Sequence, residues 1–119
     1  MSLAARHLEE AGIPTVIIGS ALDIVEHCGV PRYVFTDFPL GNPCGKPFDT
    51  DMQLDILATG MDLLERAVSP RTTVRTPYQW SSDETWRRRY LEVREKDRAK
   101  LEKIGKERRS LRQTMKTIR

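Results

Sequence analysis

The sequence predicts an α/β fold: a small parallel sheet flanked by helices, followed by a long charged helix at the carboxyl end. Three observations carry this. Residues 14–18 and 32–36 are short β-branched or aromatic runs bounded by glycine, proline and serine. Apolar residues at helical spacing lie before, between and after these runs, which is the alternation of a parallel sheet. From residue 82 onward charged side chains occupy most positions, with a thin apolar seam among them.

Residues 2–11 read as a short helix through Leu3, Ala4, His7, Leu8 and Ala11, with Gly12 as its stop. Residues 14–18 form the first strand, a run buried on both faces by its composition. Ser20 can cap a second helix over residues 21–27, whose Leu22, Ile24 and Val25 cover the sheet, and Gly29 and Pro31 end it. Residues 32–36 are the second strand, with Asp37 at its carboxyl end. The expected connection between the two strands is a right-handed crossover.

Residues 37–47 hold three prolines and two glycines, a loop shaped by fixed φ at proline and permissive φ at glycine. It lies where open α/β sheets hold ligands, outside the carboxyl ends of the strands. Asp49, Thr50 and Asp51 start a third helix reaching about residue 68, ended by Ser69 and Pro70. Residues 70–80 read as a linker in which Thr72, Thr73 and Val74 can make a brief strand. The charged helix occupies 81–119 and opens on Ser81, Ser82, Asp83 and Glu84, acids suited to a helix amino terminus. Its seam of Trp86, Tyr90, Val93, Leu101, Ile104, Leu111, Met115 and Ile118 steps by three and four when Asp97 and Arg108 fill two slots. Such a helix is either a solvated single helix or one docked on a partner chain.

The chain has 119 residues, enough for one modest core. Charge divides it. Residues 1–81 carry six basic and ten acidic side chains, a net −4, whereas 82–119 carry fourteen and seven, a net +7. Seven acids interleaved with the bases would repel phosphates, which argues against a nucleic-acid face and for internal ion pairs. The apolar runs are far shorter than a bilayer span, and residues 1–7 lack the pattern of a secretory signal. Two cysteines make no disulfide framework, and no histidine–cysteine cluster has zinc spacing, so the expectation is a cytoplasmic protein without a metal.

The candidate catalytic residues are Cys44 and Asp37. Cys44 is a loop thiol two residues from Lys46, where a lowered pKa would make it a nucleophile or redox group; the plainer alternative is an inert loop cysteine. Asp37 can bind substrate or cap a turn. The candidate substrate-binding residues are Gly41, Asn42 and Ser20: a turn glycine, an amide that can hold a carboxylate or phosphate, and a hydroxyl at the same sheet edge. Cys28 reads as a small apolar residue at a helix end, although pairing with Cys44 stays open. His7 and His27 read as helix-end histidines.

Residues 8–16 (Leu-Glu-Glu-Ala-Gly-Ile-Pro-Thr-Val), then Gly29-Val30-Pro31-Arg32 and Pro39-Leu40-Gly41-Asn42-Pro43, form a recognisable combination. Residues 1–68 resemble the carboxyl-terminal part of the glycine/sarcosine/betaine reductase component B family, which includes D-proline reductase-like proteins. The resemblance implies thiol- or selenol-dependent reductive cleavage of a substrate C–N bond. It also implies a selenocysteine or cysteine redox centre and a pyruvoyl group on other segments or subunits, and no cofactor within this chain.

The family's redox pair precedes the segment matched here, so the chain departs from the pattern at the residues that carry the chemistry. Two explanations follow: a small subunit whose nucleophile sits on a larger subunit, or a missing amino-terminal segment from a reading frame begun late at a selenocysteine codon. Cys44 is an addition to the family pattern and can supply a thiol in its place. The expected organisation is an α/β body over 1–69, a linker over 70–80 and a helix over 81–119. With two strands the body would be a partial domain. The alternative function is a non-catalytic assembly module that docks on a larger subunit through its last helix, and self-association is a further option.

Overall fold

The computed structural model describes residues 1–89 and 92–117, the last four of these as backbone alone. The chain divides into two compact units, Met1–Trp86 and Arg87–Arg119. The first contains helix α1 (Ser2–Glu10), strand β1 (Ile17–Gly19), helix α2 (Leu22–His27), strand β2 (Arg32–Phe35), helix α3 (Thr50–Arg66) and strand β3 (Thr72–Arg75). The strands form one parallel sheet in the order β1-β2-β3. The α/β class and the parallel sheet are as expected.

The central strand accounts for the core. Strand side chains alternate between faces, so β2 feeds two separate apolar clusters. Tyr33 and Phe35 pack with Val30 on one face, joined by Ile17 of β1 and by Leu22 and Val25 of α2. Val34 faces the other way and packs with Ile56 and Leu63 of α3, joined by Val16, Ile18 and Val74. Tyr33, Val34 and Ile56 are almost wholly buried. Gly60 is set into α3 where it crosses β1: a Cβ there would lie 3.3 Å from Ile18 Cδ1. That close approach explains the glycine interrupting an otherwise apolar helical face.

The strands advance in one direction across the sheet, yet α2 and α3 cover opposite faces. Two crossovers that step the same way over opposite faces have opposite hands. One of them therefore departs from the right-handed expectation.

Element ends differ from expectation for identifiable reasons. The first strand begins at Ile17 rather than residue 14, because Thr15 is drawn into hydrogen bonds with Glu9. Ser20 does not cap α2; the N-cap position is Ala21, and no side chain caps that end. Asp49 does cap α3, its carboxylate accepting from the Met52 amide at 3.2 Å. Within the stretch read as a linker, the brief strand expected at Thr72, Thr73 and Val74 does form: β3 pairs with β2 from Arg32↔Thr72 to Phe35↔Arg75. Its threonines and valine are half-exposed and its arginine exposed, because an edge strand need not be apolar on both faces.

The charged segment is not one helix over 81–119. Helix α4 (Thr85–Arg89) and helix α5 (Glu95–Thr117) are separate, and residues 92–94 are non-helical. Ser81 and Asp83 form a local hydroxyl–carboxylate turn with Thr85 before α4. The expected seam is thus divided, with Trp86 and Val93 outside α5; Tyr90, Ile118 and the Met115 side chain lie outside the described residues. No helix among the described residues is long and apolar enough to cross a membrane.

Candidate functional site

The carboxyl ends of the three strands gather hydroxyls. The paired strands end at Gly19, Phe35 and Arg75, and the next residues are Ser20, Thr36 and Thr76. Backbone bonds extend the pairing to the two threonines: the Thr36 amide donates to Gly19 and the Thr76 amide to Phe35, both at 3.0 Å. By the period of two, the Thr36 and Thr76 side chains continue the Val34 and Val74 row. Thr76 Oγ1 donates to Thr36 Oγ1 at 3.4 Å. Thr36 is fully buried. The Ser20 hydroxyl oxygen is buried and has no hydrogen-bond partner among the described residues, which costs free energy unless a ligand or water satisfies it.

Asp37 follows Thr36, half-buried at the mouth of the long loop and engaged in an interaction of its own. Phe38, also buried, packs edge-on against Trp80 with ring centroids 5.3 Å apart. Tyr78 donates to Asp55 Oδ2 at 2.7 Å, fixing the segment after β3 to α3. Together these contacts hold residues 76–80 beside the loop that leaves β2.

That loop is a succession of turns. Amides of Asn42, Gly45 and Asp49 donate to carbonyls of Pro39, Asn42 and Lys46 at 3.1, 3.3 and 3.3 Å. Gly41 and Gly45 take φ of 100° and 112°, values unfavourable for any side chain. Gly45 is also buried, and its missing Cβ would meet Gln53 Cγ at 3.1 Å. Gln53 Nε2 donates to the Lys46 carbonyl at 2.7 Å, tying the loop to the first turns of α3. Cys44 is exposed between Pro43 and Gly45, and its thiol is free.

The structure therefore places Ser20 and Asp37 at adjacent strand ends, and Gly41, Asn42 and Cys44 within one run of turns. It separates the cysteines. Cys28 follows α2, whose chain leads into the amino end of β2, whereas Cys44 lies beyond the carboxyl end; both are free. His7 and His27 are exposed on different helices. Thr36 and Thr76 were not singled out by the sequence reasoning. The available signal was their place two residues beyond Val34 and Val74, readable only once the strands are in register.

At the opposite sheet end a charged cluster ties α1 to β2. Glu9 Oε1 accepts from the Arg32 guanidinium at 2.7 Å, from the Thr15 amide at 2.5 Å and from the Thr15 hydroxyl at 3.0 Å. Burial alone would raise the Glu9 carboxyl, but these donors outweigh it and hold the group below its ordinary value. The Tyr33 phenol is displaced the other way. Burial, with Glu26 and Asp23 adding, pushes it up to about 12. The Ala21 backbone opposes that shift, yet the Tyr33 hydroxyl makes no hydrogen bond of good geometry.

Over 78 residues, 66% of its length, the chain is 33% identical to the D-proline reductase subunit gamma of Acetoanaerobium sticklandii. The matched portion is 32% of that subunit, so the chain spans about a third of the relative's length. No family model and no solved structure matches the chain. The chain is distantly related to reductase components.

Proposed function

We propose that the protein is a component of a thiol-dependent reductase that cleaves a C–N bond in a small amino-acid-like substrate. The observation that carries this reading is the 78-residue similarity to a D-proline reductase subunit. The placement of the one loop thiol beyond the carboxyl end of the central strand supports it. In this reading Ser20, Gly41 and Asn42 bind substrate, Asp37 orients the loop mouth, and Cys44 supplies a thiol. A larger partner subunit carries the amine-holding pyruvoyl group and the remaining redox chemistry.

The chemistry balances with two thiols. The Cys44 thiolate attacks the carbon bearing nitrogen, a C–S bond forms, and nitrogen leaves with the C–N electron pair and takes a proton. A second thiol, from the partner or a dithiol reductant, then attacks sulfur. A disulfide forms, and carbon keeps the C–S electron pair and takes a proton to become C–H. Two thiols are oxidised by two electrons and one C–N bond is reduced.

A second reading, a non-catalytic assembly module, is favoured by one observation: the outer side of α3 exposes Leu54, Leu57 and Met61 at helical spacing. One experiment separates the two. The complex captured on the full-length chain is assayed for dithiol-dependent reduction of D-proline and related amino acids. Under the first reading Cys44→Ser abolishes turnover while capture of the partner is unchanged. Turnover equal to wild type removes Cys44 from the mechanism and leaves the assembly role.

A further inference from the structure

From the side-chain order of α5 we propose that this helix pairs with the α5 of a second copy of the chain in an antiparallel coiled coil. The seam inside the helix runs Asp97, Leu101, Ile104, Arg108 and Leu111, in steps of four, three, four and three. That is the spacing of alternating core positions in a two-stranded coil. Leu101 and Leu111 are about half exposed on this unit. Such a stripe, on a helix with thirteen charged side chains among twenty-three residues, lacks the wide apolar face of a helix packed into a globular core.

Charge selects the occupant and its direction. Asp97 lies four residues before Leu101, and Arg108 four residues after Ile104. Two copies arranged antiparallel about the midpoint of Leu101 and Ile104 therefore place Leu101 against the second copy's Ile104 in two central layers. The same symmetry sets Asp97 opposite the second copy's Arg108 in the two layers outside these. Every polar seam residue then meets its opposite charge. A parallel pair in register would instead set Asp97 against Asp97 and Arg108 against Arg108, which desolvation makes costly.

The flanking positions agree with the antiparallel arrangement. Lys100 lies beside the second copy's Glu107, an opposite-charge pair made twice by symmetry. Arg98, on the other flank, falls opposite the second copy's Gly105, where no side chain competes for the space. Arg98 already pairs with Glu95 and Glu102 of its own helix, at 3.2 and 3.8 Å. Gly105, an unfavourable residue in a helix interior, thus has a steric use beside the central layers.

The test is oligomeric state with a charge-swap cycle on the full-length chain. Sedimentation equilibrium across about three decades of concentration should show a reversible monomer–dimer transition that weakens as salt rises. Asp97→Arg and Arg108→Asp should each weaken dimerisation roughly tenfold or more, since each creates two like-charge layers. The double variant Asp97→Arg/Arg108→Asp restores the opposite charges and should recover most of the affinity, which a merely misfolded helix would not do. A wild-type monomer throughout the range overturns the proposal. Single variants that dimerise like wild type, or a double variant weaker than both, overturn the pairing.

Discussion

The two ends of the sheet use their polar groups differently. At the amino end, Glu9, Thr15 and Arg32 close on one another, and a single carboxylate oxygen accepts three donors. At the carboxyl end, the Thr36 and Thr76 hydroxyls meet and the buried Ser20 hydroxyl has no partner among the described residues, beside a loop that exposes a thiol. One end spends its polar groups on holding α1 to β2. Each end keeps one buried polar atom without a partner among the described residues, Arg32 Nε at the amino end and the Ser20 hydroxyl at the carboxyl end, but only the amino end, as a structural seal, gathers three donors on one carboxylate oxygen.

If the amino end is the seal, damage there should cost most. Arg32→Met removes the charged donor from a carboxylate only about a quarter exposed, and the expected loss is about 2 kcal/mol, or roughly 10 °C in melting temperature. Thermal unfolding of the variant checks this. A melting temperature equal to that of Ser20→Ala would erase the distinction between the ends.

A pH titration sharpens the same point. The folded Glu9 carboxyl lies below its ordinary value of 4.5, so the unfolded chain takes up its proton first as pH falls. The stabilisation is complete above the ordinary value and is lost as pH drops through the folded value. The stability difference between wild type and Glu9→Gln, measured by urea unfolding, should therefore be constant above pH 4.5 and shrink progressively as pH falls below it. A difference independent of pH would show that the Glu9 charge does not hold α1.

At the carboxyl end the expected effects are smaller. Thr36→Val removes a buried hydroxyl whose partner Thr76 can turn to water, and should cost about 1 kcal/mol. Ser20→Ala removes a buried hydroxyl that bonds nothing among the described residues, so stability should stay within about 0.5 kcal/mol of wild type or rise slightly. Under the proposed reductase role, the same change should raise the substrate KM of the complex captured on the chain. A Ser20→Ala variant that is clearly destabilised, with substrate affinity intact, would make Ser20 structural and the two ends alike.

The legible parts of the fold were those set by near neighbours. Periodicity located α1, α2, α3 and the central strand to within one or two residues, and the acid at position 49 marked the start of α3. β3 was harder to read, since Thr-Thr-Val-Arg has neither an apolar run nor clean alternation, and its strand state comes from the exposed edge of β2. The charged segment followed helical patterning, but the non-helical residues 92–94 carry no glycine or proline to announce a break. Of the candidate site residues, Asp37, Gly41, Asn42 and Cys44 were visible because proline and glycine mark a loop. Ser20 was visible as a hydroxyl after a strand, and its expected capping of α2 proved wrong because the N-cap falls on Ala21.

By itself the sequence determined the alternation of helix and strand, the turns of the 37–49 loop and the division of charge between body and tail. Each depends on residues within a few positions of one another, where backbone preference and side-chain period act. Tertiary structure alone decided the pairing of the third strand with β2, the opposite faces taken by α2 and α3, the Glu9–Arg32 seal and the alignment of Thr36 with Thr76. Those partners lie 23 and 40 residues apart. Strand register brings them together, and register is settled by how Val34, Ile56 and Leu63 pack, not by any local pattern in the chain.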